Sequence, residues 1–171
     1  TNYFTKNNLD LTIEDAYKKP FKFNAEKVKL GGGDCKEITF TLSPSYKYTY
    51  TLNEEDNRYY SKLNGKAFVD SEGTQQSFDN VIICYTNIYP LDDGTNDKRV
   101  IIELNEGKGV YVSNGTYENI TWKKGAATDT LKFYGADGKE LKLNIGKTYV
   151  GITEADNASK KKKKDETDPA Q

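Results

Sequence analysis

The 171 residues include no His, which removes the commonest general base and the commonest transition-metal ligand together. Ser-His-Asp and Cys-His activation of a nucleophile are thereby excluded. Two carboxylates acting as acid and base, as in glycoside hydrolysis, remain open to a chain with 26 acidic residues. Most of those acids fall in turn-like segments. The run Asn53-Glu54-Glu55-Asp56-Asn57 and the loop Asp92-Asp93-Gly94-Thr95-Asn96-Asp97 offer oxygens to a hard cation, but neither has EF-hand spacing, and both read better as polar turns. Gly31-Gly32-Gly33 and Gly107-Lys108-Gly109 lack the strand-then-helix setting that aims amides at a phosphate. The expectation is a chain that is not an enzyme, with no cofactor and no metal.

Binding offers more material. Arg58 and Arg99 carry the only guanidinium groups, and Trp122 is the lone indole. Arg99 and Glu103 are four residues apart, hence on one face of a strand. Arg99, Glu103 and Trp122 are taken together as a candidate binding site; the competing reading is an ion pair beside a core tryptophan. Thirteen Tyr could line a groove for sugar or peptide, although Tyr alternating along strands more often serves core and cross-strand packing. The run Lys160 to Lys164 would gain about 1 kcal/mol per Lys near an anionic surface, but acids follow it directly. A solvated tail is expected there, with no nucleic-acid partner. Three Asn-x-Ser/Thr matches, at Asn114, Asn119 and Asn157, are read as coincidence.

Cys35 and Cys84 lie in neither C-x-x-C nor metal spacing. A disulfide between them would contribute about 4 kcal/mol in the loop-entropy picture. The alternative is two buried thiols, because Cys84 sits in the apolar run Val81-Ile82-Ile83-Cys84-Tyr85.

These groups need elements to hold them, and the period of the sequence is mostly two. Ile38, Phe40 and Leu42 alternate with polar neighbours, and Tyr46, Tyr48, Tyr50 and Leu52 repeat the pattern. Further strand-like runs cover 58–63, 66–70, 80–90, 98–104, 109–113, 117–124, 130–134, 140–145 and 148–152. Asn64-Gly65, Asn114-Gly115 and Asp137-Gly138 supply hairpin turns. A three-residue loop at Ala136-Asp137-Gly138 pairs Phe133 with Leu141 and Leu131 with Leu143. A two-residue turn at Asn114-Gly115 sets Val112 opposite Tyr117, yet Ile120 and Trp122 then fall on the other parity, so a bulge is expected near Glu118 or Asn119. One short helix is expected around Thr12-Ile13-Glu14-Asp15. The predicted fold is all-β: an antiparallel barrel or two-sheet sandwich of about nine or ten strands, with residues 1–23 as a lead-in, 24–153 as the domain and 154–171 as a disordered Lys-rich tail. No stretch is apolar enough to span a membrane as a helix, and a chain opening at Thr1 with no Met is expected to be part of something longer.

From Lys98 onward several segments follow in a recognisable order: Arg99-Val100-Ile101-Ile102-Glu103-Leu104, Gly107-Lys108-Gly109, Asn114-Gly115, Thr121-Trp122-Lys123-Lys124, Phe133-Tyr134, Asp137-Gly138-Lys139 and Asn144 to Tyr149. Tyr48-Thr49-Tyr50, Tyr59-Tyr60-Ser61 and Ala67 to Asp70 fit upstream. Over roughly Phe21 to Ile152 this resembles the C-terminal domain of the YerB-like bacterial lipoproteins, a Firmicute family defined largely as a domain of unknown function. The Lys-, Asn- and Tyr-rich, Arg-poor composition accords with an AT-rich Firmicute genome. The resemblance implies a lipidated N-terminal part and an extracytoplasmic location on the outer face of the cell membrane, with membrane contact only through that anchor. It implies no known reaction. Asn2-Tyr3-Phe4-Thr5 is similar to a His-Asn-x-Tyr-Thr stretch of the preceding domain, without its His, and Tyr149 stands where many relatives place Trp. Two functions follow as expectations: a noncatalytic interaction or scaffolding domain that binds an envelope protein or cell-wall polymer, or a carboxylate-dependent wall hydrolase module that needs the N-terminal domain.

Overall fold

The computed structural model describes residues 7, 21–92, 94, 99–126 and 128–154, with the backbone of 160–162. Every regular element among them is a strand. The helix expected around Thr12 to Asp15 lies outside the described residues.

In chain order the strands are β1 (Lys22–Phe23), β2 (Glu37–Ser43), β3 (Tyr46–Asn53), β4 (Arg58–Leu63), β5 (Lys66–Ala67), β6 (Ser77–Phe78) and β7 (Asn80–Thr86). They continue as β8 (Ile88–Pro90), β9 (Val100–Ile102), β10 (Glu106–Ser113), β11 (Thr116–Lys123), β12 (Lys132–Tyr134), β13 (Lys142–Leu143), β14 (Thr148–Glu154) and β15 (Lys160–Lys162). Two open sheets result, ordered β12-β11-β10-β7-β14 and β15-β2-β3-β4-β5, with β6 also on β4. Between them Ile38, Phe40, Tyr50 and Tyr59 of the second sheet meet Val81, Ile83, Val110 and Val112 of the first. The architecture is therefore a sandwich.

The first sheet is covered on its other face as well. Ile82, Cys84, Tyr111, Ile120, Trp122, Phe133 and Leu143 form a second core, with Phe21 and Leu30 of the N-terminal segment packed against it. A strand buried on both faces reads as an unbroken apolar run rather than an alternating one, which is why Val81 to Cys84 shows no period of two. The same fact removes the expected bulge. The β10–β11 ladder runs uninterrupted from Glu106↔Lys123 to Ser113↔Thr116, with Val112 opposite Tyr117. Tyr117 packs on the inter-sheet core and Ile120 and Trp122 on the second, so the change of parity marks a change of core.

Turn chemistry behaves as the sequence demands. Asn114 and Gly115 have φ of 51° and 72°, the left-handed pair of a type I′ hairpin. At Ala136-Asp137-Gly138, Leu141 N donates to Phe133 O and Gly135 N to Lys139 O, with Tyr134 bridged to Glu140, which is the three-residue loop expected. Beyond it β13 pairs in parallel with β1.

One expectation about strand direction is corrected. The sheets are not wholly antiparallel, because β14 runs parallel to β7 from Thr148↔Asn80 to Glu154↔Thr86. Lys160–Lys162 pairs antiparallel with β2, whose outer edge otherwise leaves backbone donors and acceptors unpaired. Cys35 and Cys84 are both buried. They belong to different cores on opposite faces of the first sheet, so no disulfide joins them, and burial pushes the Cys84 thiol up to about 12.

Candidate functional site

The long hairpin of β7 and β10 changes character part-way along. Its ladder is regular from Ser113↔Asn80 to Gly109↔Cys84, and beyond Thr86 and Glu106 the chain continues as a separate two-stranded ribbon, β8 with β9, in another register. At the junction the Trp122 indole Nε1–H donates to Lys108 O at 3.1 Å and Tyr85 O at 3.3 Å, the carbonyls just past the last β7–β10 pair. A Cβ on Gly107 would overlap both the Tyr85 carbonyl and this indole. Trp122 therefore pins the root of the ribbon. The expectation that it lies on a binding surface is not met: its side chain is 1% exposed, since an indole whose ring fills a core and whose N–H finds carbonyls is best buried.

The ribbon is built the other way round. Ile88, Pro90, Val100 and Ile102 share one face and Tyr89 and Ile101 the other, by the register Ile88↔Ile102, Tyr89↔Ile101 and Pro90↔Val100. Val100 is 54% exposed, Tyr89 43%, Ile102 42% and the following Leu104 37%. Scattered exposed apolar side chains need no explanation, but several on one short two-stranded element, on both of its faces, invite one. Arg99 and Glu103 flank β9 on the Tyr89 and Ile101 side. Arg99 is exposed and Leu91 N donates to its carbonyl. Glu103 is half-buried; its Oε2 accepts from Asn87 Nδ2 at 2.7 Å and its carbonyl from Thr86 Oγ1 at 2.5 Å. The sequence-predicted trio is thus divided between the ribbon and its root. The exposed residues Tyr89, Val100, Ile102 and Leu104 escaped the sequence reading, although apolar residues at consecutive positions beside Pro90 were a signal that neither a one-sided strand nor a turn explains.

Several ionisable groups elsewhere engage one another or the backbone. Beside the root of the ribbon lies an open cleft of about 540 Å³, where Glu106 pairs with Lys123 at 2.9 Å and Asp129 Oδ2 accepts from Ala126 N. A largely enclosed acid is Asp79, which takes Lys27 Nζ at 2.6 Å and Lys147 N at 2.9 Å, with Arg58 Nε 3.8 Å away. Burial alone would raise its pKa. The Lys27 hydrogen bond, the Lys147 amide and the two cations outweigh that and hold it below the usual carboxylate range. Such a carboxylate stays ionised and suits a clasp better than a general acid. Next to it, Tyr111 Oη donates to Asn80 Oδ1 and accepts from Asn144 N, while Asn144 also bonds Val28 and Ser113. This web ties the N-terminal segment to the sheet. An aromatic group of Phe40, Tyr48, Tyr50, Phe78 and Tyr149 fills one end of the sandwich, with ring centroids 5.0–6.5 Å apart in the paired contacts, which accounts for Tyr149 as a packing residue. Among the described residues no group of three metal-ligating side chains converges.

Fold and site together define an all-β sandwich domain that carries a separate two-stranded arm with exposed apolar residues. Residues 37–150 match the family described as "Protein of unknown function (DUF3048) C-terminal domain", and the chain belongs to that family. It is similar to the crystal structure of YerB protein from Bacillus subtilis, with a TM-score of 0.75 and 19% identity over 95% of this chain and 52% of that one. The chain thus spans about half the length of that solved relative, and at this identity the likeness concerns the fold. No curated protein matches the chain.

Proposed function

We propose that this is a noncatalytic interaction domain of an extracytoplasmic, lipid-anchored envelope protein of a Gram-positive cell, and that the β8–β9 arm is the element that engages a protein partner. One observation carries this reading: Tyr89, Val100 and Ile102 stand 42–54% exposed on a ribbon, whereas the continuous strands β7 and β10 bury equivalent residues on both faces. Fully burying such a side chain is worth roughly 1.5–3 kcal/mol, so at 42–54% exposed each leaves roughly half of that unrealised, and a two-stranded ribbon in water is marginally stable by itself. The family resemblance supports the envelope location.

The test is a pull-down of the intact lipoprotein from membranes beside a variant carrying Val100→Lys and Ile102→Lys. Loss of one or more partners with an unchanged melting temperature is expected. Identical partner sets would remove the arm from any interaction role. Digestion of protoplasts with external protease tests the location, and survival of the protein there would contradict an extracytoplasmic position.

A further inference from the structure

The arm has two edges, and they are not equivalent. Leu91 N donates to Arg99 O and Glu103 N to Asn87 O, so Arg99, Ile101 and Glu103 turn their backbone groups toward β8. By the alternation of an antiparallel pair, Val100 and Ile102 turn theirs away from it, toward an edge that pairs with no other strand among the described residues. On the β8 side the outward positions are Ile88 and Pro90, and Pro90 has no N–H to offer. Edges are ordinarily blunted by Pro or Lys. β8 is blunted in this way and β9 is not.

That edge is also complementary to itself. In an antiparallel pairing of Arg99-Val100-Ile101-Ile102-Glu103 with a second copy, centred on Ile101, each residue i meets 202 − i of the other chain. Arg99 then faces Glu103, Val100 faces Ile102 and Ile101 faces itself. The paired positions Val100 and Ile102 are those whose N–H and C=O point outward, so four backbone hydrogen bonds form without any change of register. Two opposite-charge pairs flank them: Arg99 is engaged within its own chain yet carries five N–H donors, and the Glu103 carboxylate retains acceptor capacity beyond its bond to Asn87. A shift by one residue would break both the charge match and the hydrogen-bond parity.

We infer that β9 is the edge along which two copies of this chain join, about a two-fold axis through Ile101, to make a continuous four-stranded sheet ordered β8-β9-β9-β8. The inference rests on the arm being an interaction element and names its partner. A shared edge of this length makes a weak, reversible, isologous dimer.

Sedimentation velocity of the chain from about 10 μM to about 1 mM tests it, a range suited to a small interface. A reversible monomer–dimer equilibrium is expected. Arg99→Glu or Glu103→Arg alone places like charges opposite each other twice and weakens dimerisation about tenfold or more. The two changes in one chain restore it, and an equimolar mixture of the two single variants gives a heterodimer, which neither misfolding nor general stickiness produces. A wild-type chain that stays monomeric throughout, or a dimer indifferent to the single reversals, overturns the inference. Should the chain be monomeric while the arm variant still loses a partner in the pull-down, the second copy is wrong and the interaction reading stands; no change in either assay removes both.

Discussion

The inner and outer halves of one hairpin have nearly the same apolar content and opposite fates. Val81 to Cys84 and Val110 to Val112 are shielded on both faces by two cores, whereas Tyr89, Val100 and Ile102 leave the sheet and meet solvent. Trp122 divides the halves, filling the second core and bonding the carbonyls where the ladder stops. The contrast teaches that local hydrophobicity decides only that a segment forms strand; whether the strand is core or surface depends on what the rest of the chain lays over it.

The boundary breaks most severely at its pin. Trp122→Ala should destabilise the fold by about 3–5 kcal/mol, read as a lower denaturant midpoint. Tyr111→Phe should cost about 1–3 kcal/mol, because the buried Asn144 N–H loses its acceptor; an unchanged midpoint would show that the web beneath the inner half is dispensable.

Asp79→Asn sharpens the comparison through pH. Its folded pKa lies below the ordinary value, so its contribution is fully present above the unfolded pKa near 3.9 and is lost as pH falls through the folded one. The stability gap between wild type and variant should therefore be open at neutral pH and close below about pH 4. The smallest effect belongs to the outer half. Val100→Lys or Ile102→Lys should change folding stability by no more than about 0.5 kcal/mol, and a larger loss would mean the arm is part of the cooperative core.

Much of the scaffold was legible because its signals are local. Strand period, the Asn-Gly turn and the Gly138 loop follow from residue chemistry at each position, and β4 and the Phe133–Leu141 register came out as read. What escaped is what depends on distant layers. The parity change along β11 looked like a bulge because a second core was not anticipated. The apolar run around Cys84 already pointed to a buried thiol, but nothing in the sequence places a sheet between it and Cys35, so pairing stayed open. The parallel β7–β14 pair joins strands more than sixty residues apart. For the site, Arg99 and Glu103 lie on the arm proposed to bind, while the single indole is a buried residue that holds that arm from beneath.

Native-state hydrogen exchange on the dilute chain tests the division of the hairpin most directly. The amides of Ile82 and Tyr111 should exchange only through global unfolding, while those of Val100 and Ile102 exchange with little protection. Protection of Val100 and Ile102 equal to that of Tyr111, at concentrations where the chain is monomeric, would contradict the separation of a closed core from an open arm.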